Sequence, residues 1–375
     1  MIEPINSILK EGKWNPQNRL RLEKLIREKA FLDNYAVFDW DFTCIFYDTQ
    51  DNLLIYQLEH LYFKLTPEHF SKTIRADIPQ DVPLKHCFNS AGRQLTAAEL
   101  SADLDKRYEF IYHAFNGMNG TLTLDEIIAT EEYKDFKAKM IALMNAAFSI
   151  CHTDICQLVS TGMTVEELHA VTEKAIDESL TDTIQEYTIT SSEYLPGDAG
   201  VVEASYRKGI RLQAEMQNLI TVLTEYGITP YICSASQEDN VRVFASNIKY
   251  GYAVKPENVF GRRRLFGTDG KITYENDASI PPTRAAGKAE AIKKLMMPKH
   301  GGKPPILVAG DSDGDFFMMN EFKNDAVILL FNRNPKKEAK IYPFFVKGLE
   351  DRKNNTVSNI LIQDRNSETG EFAAC

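Results

Sequence analysis

A short apolar run that ends in two carboxylates is the feature of this sequence that most restricts its fold. Residues 35–38 are Tyr-Ala-Val-Phe, and Asp39-Trp40-Asp41 follows directly. A continuous apolar run of this length is typical of a strand that is buried on both faces, as in a parallel sheet covered by helices. Since side chains alternate along a strand, we expect Asp39 and Asp41 to project to one side at the carboxyl edge of that sheet. Ligands of open α/β sheets bind at this edge.

Helical and strand patterns alternate in the two outer parts of the chain. The apolar spacing predicts amphipathic helices over Asn18–Leu32 and Ile210–Tyr226. The dipeptide Asp269-Gly270 predicts a hairpin between Phe266 and Ile272–Tyr274. Four further apolar runs predict strands: Pro230–Cys233, Val259–Leu265, Ile306–Ala309 and Ala326–Phe331.

The middle of the chain is rich in helix starts. A Thr followed three residues later by a Glu, the spacing of a capping box, occurs at Thr96, Thr123 and Thr164. We therefore predict an α/β protein with a Rossmann-like parallel sheet in a core domain, residues 1–50 and 217–375. A large, mainly helical domain, residues 51–216, is expected as an insertion after the first strand.

Composition and charge exclude several classes of protein. With 43% hydrophobic and 26% charged residues, the chain is an ordinary globular sequence of about two domains. Its net charge of −10 provides no basic field to hold a nucleic acid, and no apolar run is long enough to cross a membrane. Six scattered cysteines and the lack of a secretory signal after Met1 predict a cytoplasmic protein, or a periplasmic or secreted one if an export signal has been removed. The polar tail after Asn366 is expected to be loose.

Further polar groups follow the later strands and are expected at the same edge of the sheet. Ser234 ends the second strand, and the backbone N–H groups that follow, beginning with that of Ala235, would hold an anion at a helix start. Lys288 opens another helix and supplies a cation. The fourth strand leads into Asp311 and, four residues on, Asp315. Carboxylates that converge in this way repel one another unless a cation is bound, and an oxygen-only ligand set favours Mg²⁺.

These residues resemble the four ordered motifs of the haloacid dehalogenase superfamily. The motifs are Asp39-x-Asp41-x-Thr43, Ser234, Lys288 and Gly310-Asp311-x-x-x-Asp315. The resemblance implies a haloacid dehalogenase-type core with a cap domain. It also implies that Asp39 attacks phosphorus to form an aspartyl-phosphate, and that Asp41 protonates the leaving oxygen and then activates water.

The resemblance assigns ligands as well as catalytic groups. The implied Mg²⁺ site comprises the Asp39 carboxylate, the Asp41 carbonyl and Asp311, with Asp315 steadying the lysine or a metal-bound water. The implied phosphoryl-binding set comprises Thr43, Ser234, Ala235 and Lys288.

A Mg²⁺-dependent phosphomonoesterase that acts on a small phosphorylated metabolite is the function that the resemblance implies. An acid/base aspartate two residues after the nucleophile favours phosphatases over dehalogenases and ion pumps. Two alternatives stay open: a non-catalytic phospholigand-binding protein, and a phosphotransferase or mutase on the same fold.

The sequence is most similar to the phosphorylcholine phosphatase-like and phosphoserine phosphatase-like members of that superfamily. Phosphoserine phosphatases carry an acidic residue nine positions after the nucleophile that holds the substrate amine, and Asp48 stands at that position in this chain. Asp48 would then bind the head group of phosphocholine, phosphoethanolamine or phosphoserine. The alternative is a solvated carboxylate in a loop.

Overall fold

The protein divides into two compact units. The computed structural model describes residues 7–10, 12–151, 155 and 160–374. Unit 1 comprises residues 1–49, 210–263 and 277–375, and unit 2 comprises residues 50–209 and 264–276. This division differs from the predicted domains in three places, because residue 50 and the segment 264–276 belong to unit 2 and residues 210–216 belong to unit 1.

The described residues contain thirteen β-strands and twelve α-helices. The strands are β1 (Asn34–Phe38), β2 (Pro83–Phe88), β3 (Gln94–Thr96), β4 (Gln185–Thr190), β5 (Glu203–Lys208), β6 (Ile228–Gln237), β7 (Val259–Arg262), β8 (Arg264–Phe266), β9 (Ile272–Asn276), β10 (Leu307–Gly310), β11 (Val327–Phe331), β12 (Ile360–Arg365) and β13 (Phe372–Ala373). The helices are α1 (Pro16–Lys29), α2 (Thr49–His60), α3 (Pro67–Thr73), α4 (Ala97–Ala114), α5 (Leu124–Ile128), α6 (Glu131–Cys151), α7 (Val165–Thr181), α8 (Ala214–Glu225), α9 (Glu238–Ser246), α10 (Ala286–Ala291), α11 (Phe316–Phe322) and α12 (Tyr342–Lys353).

Seven strands of unit 1 form one sheet in the order β13-β12-β11-β10-β1-β6-β7. Neighbouring strands are parallel except for β12 and β13, which are antiparallel. The six parallel strands have the doubly wound order of a Rossmann-like sheet, with β1 beside both β6 and β10. In such sheets the ligand site lies outside the carboxyl ends of the strands, where the strand order reverses.

β1 lies inside this sheet, between β10 and β6. All five of its residues are buried, as expected for a strand that is covered on both faces. Phe38 pairs with Ile232 of β6 and with Ala309 of β10, so the carboxyl ends of β1 and β10 are close to level, whereas β6 continues beyond them to Gln237. The residues that follow β1 and β10 are therefore neighbours although they are far apart in sequence.

Most predicted elements of unit 1 are present, with changed ends. The first helix begins at Pro16, two residues before the predicted start, because Asn15 caps it with its side chain. The prediction of one strand over Val259–Leu265 is wrong, since β7 ends at Arg262 and the following residues pair as β8 with β9. The tail after Asn366 is not entirely loose, because β13 pairs with β12.

The hairpin of β8 and β9 leaves the sheet because it has apolar partners in unit 2. Ile272 is buried with Leu53, Met163 and Leu168. Its N–H donates to the carbonyl of Met163, and its carbonyl accepts from Gly162, both at 2.8 Å. The Asp269-Gly270 turn predicted the hairpin itself but not the unit to which it belongs.

Unit 2 is mainly helical. All three predicted capping boxes are formed, at Thr96, Thr123 and Thr164. The hairpins β2–β3 and β4–β5 were not predicted from the sequence, because their largely exposed strands contain no buried apolar run. Among the described residues, no helix combines the length and apolar character needed to span a membrane.

Candidate active site

The predicted residues of unit 1 meet at the carboxyl edge of the sheet. Asp39 directly follows β1, and its N–H donates to the carbonyl of Ala309 in β10 at 3.0 Å. Lys288 of α10 donates to Asp39 Oδ1 at 2.5 Å and to Asp315 Oδ1 at 2.6 Å. The Thr43 hydroxyl lies 3.4 Å from Asp39 Oδ2. All four of these polar side chains are buried, so one hydrogen-bonded group joins three separate parts of the chain.

Gly287 allows the helix that carries Lys288 to lie against the preceding loop. A Cβ at this position would lie 1.8 Å from the carbonyl oxygen of Pro282, which no side chain can tolerate. This close approach fixes the first turn of α10, and Lys288 reaches Asp39 from that turn.

Asp39, Asp311 and Asp315 form a buried group whose carboxylate oxygens lie within 4.8 Å of one another. Burial raises the pKa of Asp39 well above its usual value, and Asp315 and Asp311 raise it further, whereas Lys288 opposes them. Burial also raises the pKa of Asp311 to about 6, against the opposing effect of Arg333. For Lys288, burial alone would lower the pKa, but Asp315 and Asp39 raise it overall. A divalent cation among these carboxylates would favour their ionised forms.

The donor set fits a cation that prefers oxygen ligands. Asp39 and Asp311 offer carboxylate oxygens, and the Asp41 carbonyl accepts no hydrogen bond from the residues that the structure describes. Asp315 has less capacity to bind a metal, because Oδ1 accepts from Lys288 and Oδ2 accepts from the N–H groups of Asp311 (3.0 Å) and Ser312 (3.3 Å). These contacts favour Asp315 as the group that holds the lysine and the loop after β10.

Asp41 lies in the turn after β1 and not in the strand. Because β1 ends at Phe38, alternation along a strand is the wrong reason for its position. Its Oδ1 accepts from the N–H (2.7 Å) and the hydroxyl (2.8 Å) of Thr49, and its Oδ2 accepts from the hydroxyl of Ser236 (2.6 Å). Burial raises the pKa of Asp41, and the hydrogen bonds from Ser236 and Thr49 counteract part of that effect. Three donors therefore fix the orientation of this carboxyl group.

β6 is longer than the sequence indicates. It continues through Ser234 and Ala235 to Gln237, so the expectation that a helix begins directly after Ser234 is wrong. Pairing with β7 is irregular between residues 233 and 237, and within this stretch the buried Ser234 hydroxyl accepts from the N–H of Ser236 at 3.1 Å. Irregular strand pairing of this kind redirects side chains next to a site, and here the Ser236 hydroxyl reaches Asp41.

Three polar residues at these groups were not found from the sequence: Thr49, Ser236 and Arg333. Ser236 follows Ser234 by two positions in one strand, and this spacing is a signal that could have found it. Arg333 follows β11, donates to Asp311 Oδ2 at 2.6 Å, and places its guanidinium 3.7 Å from the centre of the Phe42 ring. No local pattern marks Thr49 or Arg333.

Asp48 is not a member of the buried carboxylate group of Asp39, Asp311 and Asp315. It is partly buried in the turn between Tyr47, whose backbone is left-handed (φ +76°), and Thr49. Its contact with a substrate head group stays a prediction.

The chain resembles known proteins in sequence and in fold. No family model matches the chain. The chain is 29% identical over 254 residues to a phosphorylcholine phosphatase from Pseudomonas aeruginosa, an alignment that covers 58% of this chain and 68% of that protein. The crystal structure of a conserved protein of unknown function from Anaerococcus prevotii has a TM-score of 0.90 and 29% identity, and the alignment covers 99% of this chain and 98% of that one. The predicted α/β class, with a mostly parallel Rossmann-like sheet, is confirmed.

Proposed function

We propose that this chain, as a phosphatase of the haloacid dehalogenase superfamily, is a phosphoric monoester hydrolase of a small phosphorylated metabolite. In this proposal, hydrolysis proceeds through an aspartyl-phosphate on Asp39. The observation that carries this proposal is the buried contact of Lys288 with both Asp39 and Asp315 beside Asp311. A buried carboxylate held by a lysine at the carboxyl end of the first strand is well placed to act as a nucleophile.

The first step transfers the phosphoryl group to the protein. An Asp39 carboxylate oxygen attacks phosphorus, the bond from phosphorus to the ester oxygen breaks, and Asp41 gives its proton to that leaving oxygen. Lys288, the hydroxyls of Thr43 and Ser234, and the N–H of Ala235 orient the phosphoryl oxygens and stabilise their charge. Mg²⁺, held by Asp39, the Asp41 carbonyl and Asp311, would neutralise the charge that develops between nucleophile and phosphoryl oxygens.

The second step releases inorganic phosphate. Asp41, now ionised, takes a proton from a water molecule whose oxygen attacks phosphorus, and the Asp39 carboxylate leaves. Thr49 and Ser236 keep the same carboxyl group oriented through both steps. One acid/base residue therefore serves both half-reactions.

Activity on p-nitrophenyl phosphate tests this proposal. We expect turnover with Mg²⁺, none after chelation, and recovery when Mg²⁺ is restored. Asp39→Asn should lower kcat at least about a thousandfold, as removal of a catalytic nucleophile usually does. Asp313→Asn is the matched control, because the Asp313 carboxylate is exposed and, among the residues that the structure describes, accepts from the N–H of Ile341 alone. Binding of a phospholigand without turnover would support a non-catalytic protein, and transfer to an added sugar phosphate would support a mutase.

A phosphorylated amino-alcohol is the substrate class that we propose, with unit 2 as the cap that selects the leaving group. The name of the Pseudomonas relative and the place of Asp48 in the sequence, nine residues after Asp39, support this choice. A panel of phosphocholine, phosphoethanolamine, phosphoserine and sugar phosphates tests it. Asp48→Ala should raise KM for the amine substrates and not for the sugar phosphates, whereas Asp51→Asn, on an exposed position of α2, should change neither. Equal effects of Asp48→Ala on all substrates would reject the contact.

A further inference from the structure

The turn that carries the candidate nucleophile is unusually tight. The Trp40 carbonyl accepts from three N–H groups, those of Thr43 (3.1 Å), Cys44 (2.8 Å) and Ile45 (3.3 Å). The backbone of Phe42 lies in the left-handed region (φ +56°), which residues other than glycine rarely adopt. Such a conformation persists only where the surroundings hold it, and it often marks a functional site.

An arginine from the far end of the chain holds this turn. Arg365, the last residue of β12, donates through Nη1 to the carbonyl of Phe42 at 2.5 Å and through Nη2 to the carbonyl of Thr43. Its guanidinium lies 3.8 Å from the centre of the Phe331 ring and 5.0 Å from that of Phe372 in β13. The two carbonyl contacts use the planar fork of a guanidinium, which a lysine cannot reproduce.

The partners of Arg365 are unusual for a partly buried cation. Within the described part of the chain it forms no ion pair with a carboxylate, and its enclosed Nε has no hydrogen-bond partner. Burial lowers the pKa of Arg365 to about 10, with Asp311 opposing the shift, so the group still carries its charge near neutral pH. A charged group that binds only backbone of one turn and aromatic faces is suited to fix that turn.

We propose that Arg365 is a positioning residue for catalysis, which sets the orientation of the Phe42 and Thr43 peptides and through them the Thr43 hydroxyl and the Asp41 carbonyl. The inference rests on the proposed function for the roles of Asp41 and Thr43. It gives β12 and β13, which follow the last of the four motifs, a part in the reaction: β13 supplies Phe372 as one face of the guanidinium site.

Two matched variants separate positioning from general stability. Arg365→Met keeps a long apolar side chain between the rings and removes the fork. Arg352→Met is the control, because Arg352 binds Asp364 Oδ2 at 2.7 Å and the Ile362 carbonyl on the same strand but donates to no carbonyl of the turn. At a temperature well below both melting transitions, Arg365→Met should lower kcat about a hundredfold with little change in KM, the scale expected for a small misplacement of reacting groups. Arg352→Met should keep kcat within about threefold of the parent protein.

Rescue and hydrogen exchange complete the test. Millimolar guanidinium should restore part of the activity of Arg365→Ala and none to Arg352→Ala. Amide exchange in the peptide that contains residues 40–47 should accelerate in Arg365→Met and stay unchanged in Arg352→Met, whether or not the parent protein has phosphatase activity. Unchanged exchange in this peptide, or a kcat of Arg365→Met within threefold of the parent, would overturn the positioning role. A parent without activity together with accelerated exchange would reject the proposed function and leave the structural hold on the turn established.

Discussion

The Asp41 carboxyl group is held by three donors from two parts of the chain. Thr49 provides its N–H and its hydroxyl, and the same hydroxyl accepts from the Trp40 ring N–H at 3.1 Å. Ser236 provides the third donor from β6. Because a general acid must meet the leaving oxygen in one orientation, these contacts should affect proton transfer more than substrate binding.

Thr49→Val and Ser236→Ala should therefore slow the hydrolysis of an alkyl phosphate more than that of p-nitrophenyl phosphate. An alkoxide needs a proton when it leaves, and p-nitrophenolate hardly does. We expect about a 10–100-fold loss of kcat/KM, which reports the first step, on an alkyl phosphate and a much smaller loss of kcat/KM on p-nitrophenyl phosphate, within the contribution usual for general acids. Thr49→Ser, which keeps the hydroxyl, should stay close to the parent protein. Equal losses of kcat/KM on both substrates would contradict a role of the two residues in protonating the leaving oxygen.

The proposed binding of Mg²⁺ by Asp311 gives a second prediction, which needs no turnover. A ligand that binds only the folded protein stabilises it, by about 2.7 kcal/mol when it is present at 100 times its Kd. Mg²⁺ should therefore raise the melting temperature of the parent protein relative to EDTA, and Asp311→Asn should lose most of that increase. Asp313→Asn should keep it. The same Mg²⁺ effect in all three proteins would place the cation elsewhere.

The sequence identified the residues whose type and spacing are distinctive and missed those that the topology brings in. Asp39, Lys288 and Asp315 were found because each belongs to a motif next to a predicted strand or helix, and the structure brings them together. Thr49 and Arg365 lie in no such pattern. Their roles depend on which turn they reach, and only the folded chain specifies that.

At the scale of elements, the helix that carries Lys288 depends on a backbone contact. The Gly287 position leaves no room for a Cβ beside the Pro282 carbonyl, and backbone atoms cannot yield as the end of a flexible side chain can. Gly314 lies in the loop after β10, where a Cβ would meet only the Ser312 hydroxyl at 3.4 Å.

Gly287→Ala should thus displace α10 and lower both stability and activity. Overpacking of this kind typically costs about 1–3 kcal/mol, and a shift of Lys288 away from Asp39 should lower kcat further. Gly314→Ala should change the free energy of unfolding by less than about 1 kcal/mol. Denaturant unfolding and kcat of both variants check this expectation. A Gly287→Ala protein with the stability and kcat of the parent would show that the loop before α10 yields freely.

Elements were predictable where the local signal agreed with the tertiary environment. The three capping boxes at Thr96, Thr123 and Thr164 are local, and all are formed. The run Val259–Leu265 carries an equally clear strand signal, but it is divided because Ile272 of the adjoining hairpin finds apolar partners in unit 2. The spacing of apolar residues indicates whether a segment forms a helix or a strand, but not the unit against which that segment packs.

At the scale of the whole molecule, the order of the strands in the sheet brings together residues that belong to different sequence motifs. The arrangement of β7, β6, β1, β10, β11 and β12 brings residues that are 249 positions apart in sequence, Asp39 and Lys288, into a hydrogen bond. It also gives the sheet a strand, β12, whose Arg365 reaches back to the turn after β1. The alternation of helices and strands predicted this class of sheet, while the extra strands after β11 carried too weak a signal.

The identity of the residue that receives the phosphoryl group tests the central claim most directly. Rapid acid quenching of the parent protein with a ³²P-labelled phosphomonoester, followed by peptide mapping, detects any covalent intermediate. We predict an alkali-labile label on the peptide that contains Asp39, and no labelled protein with Asp39→Asn. Label on any other residue, or full hydrolysis by Asp39→Asn, would contradict the account.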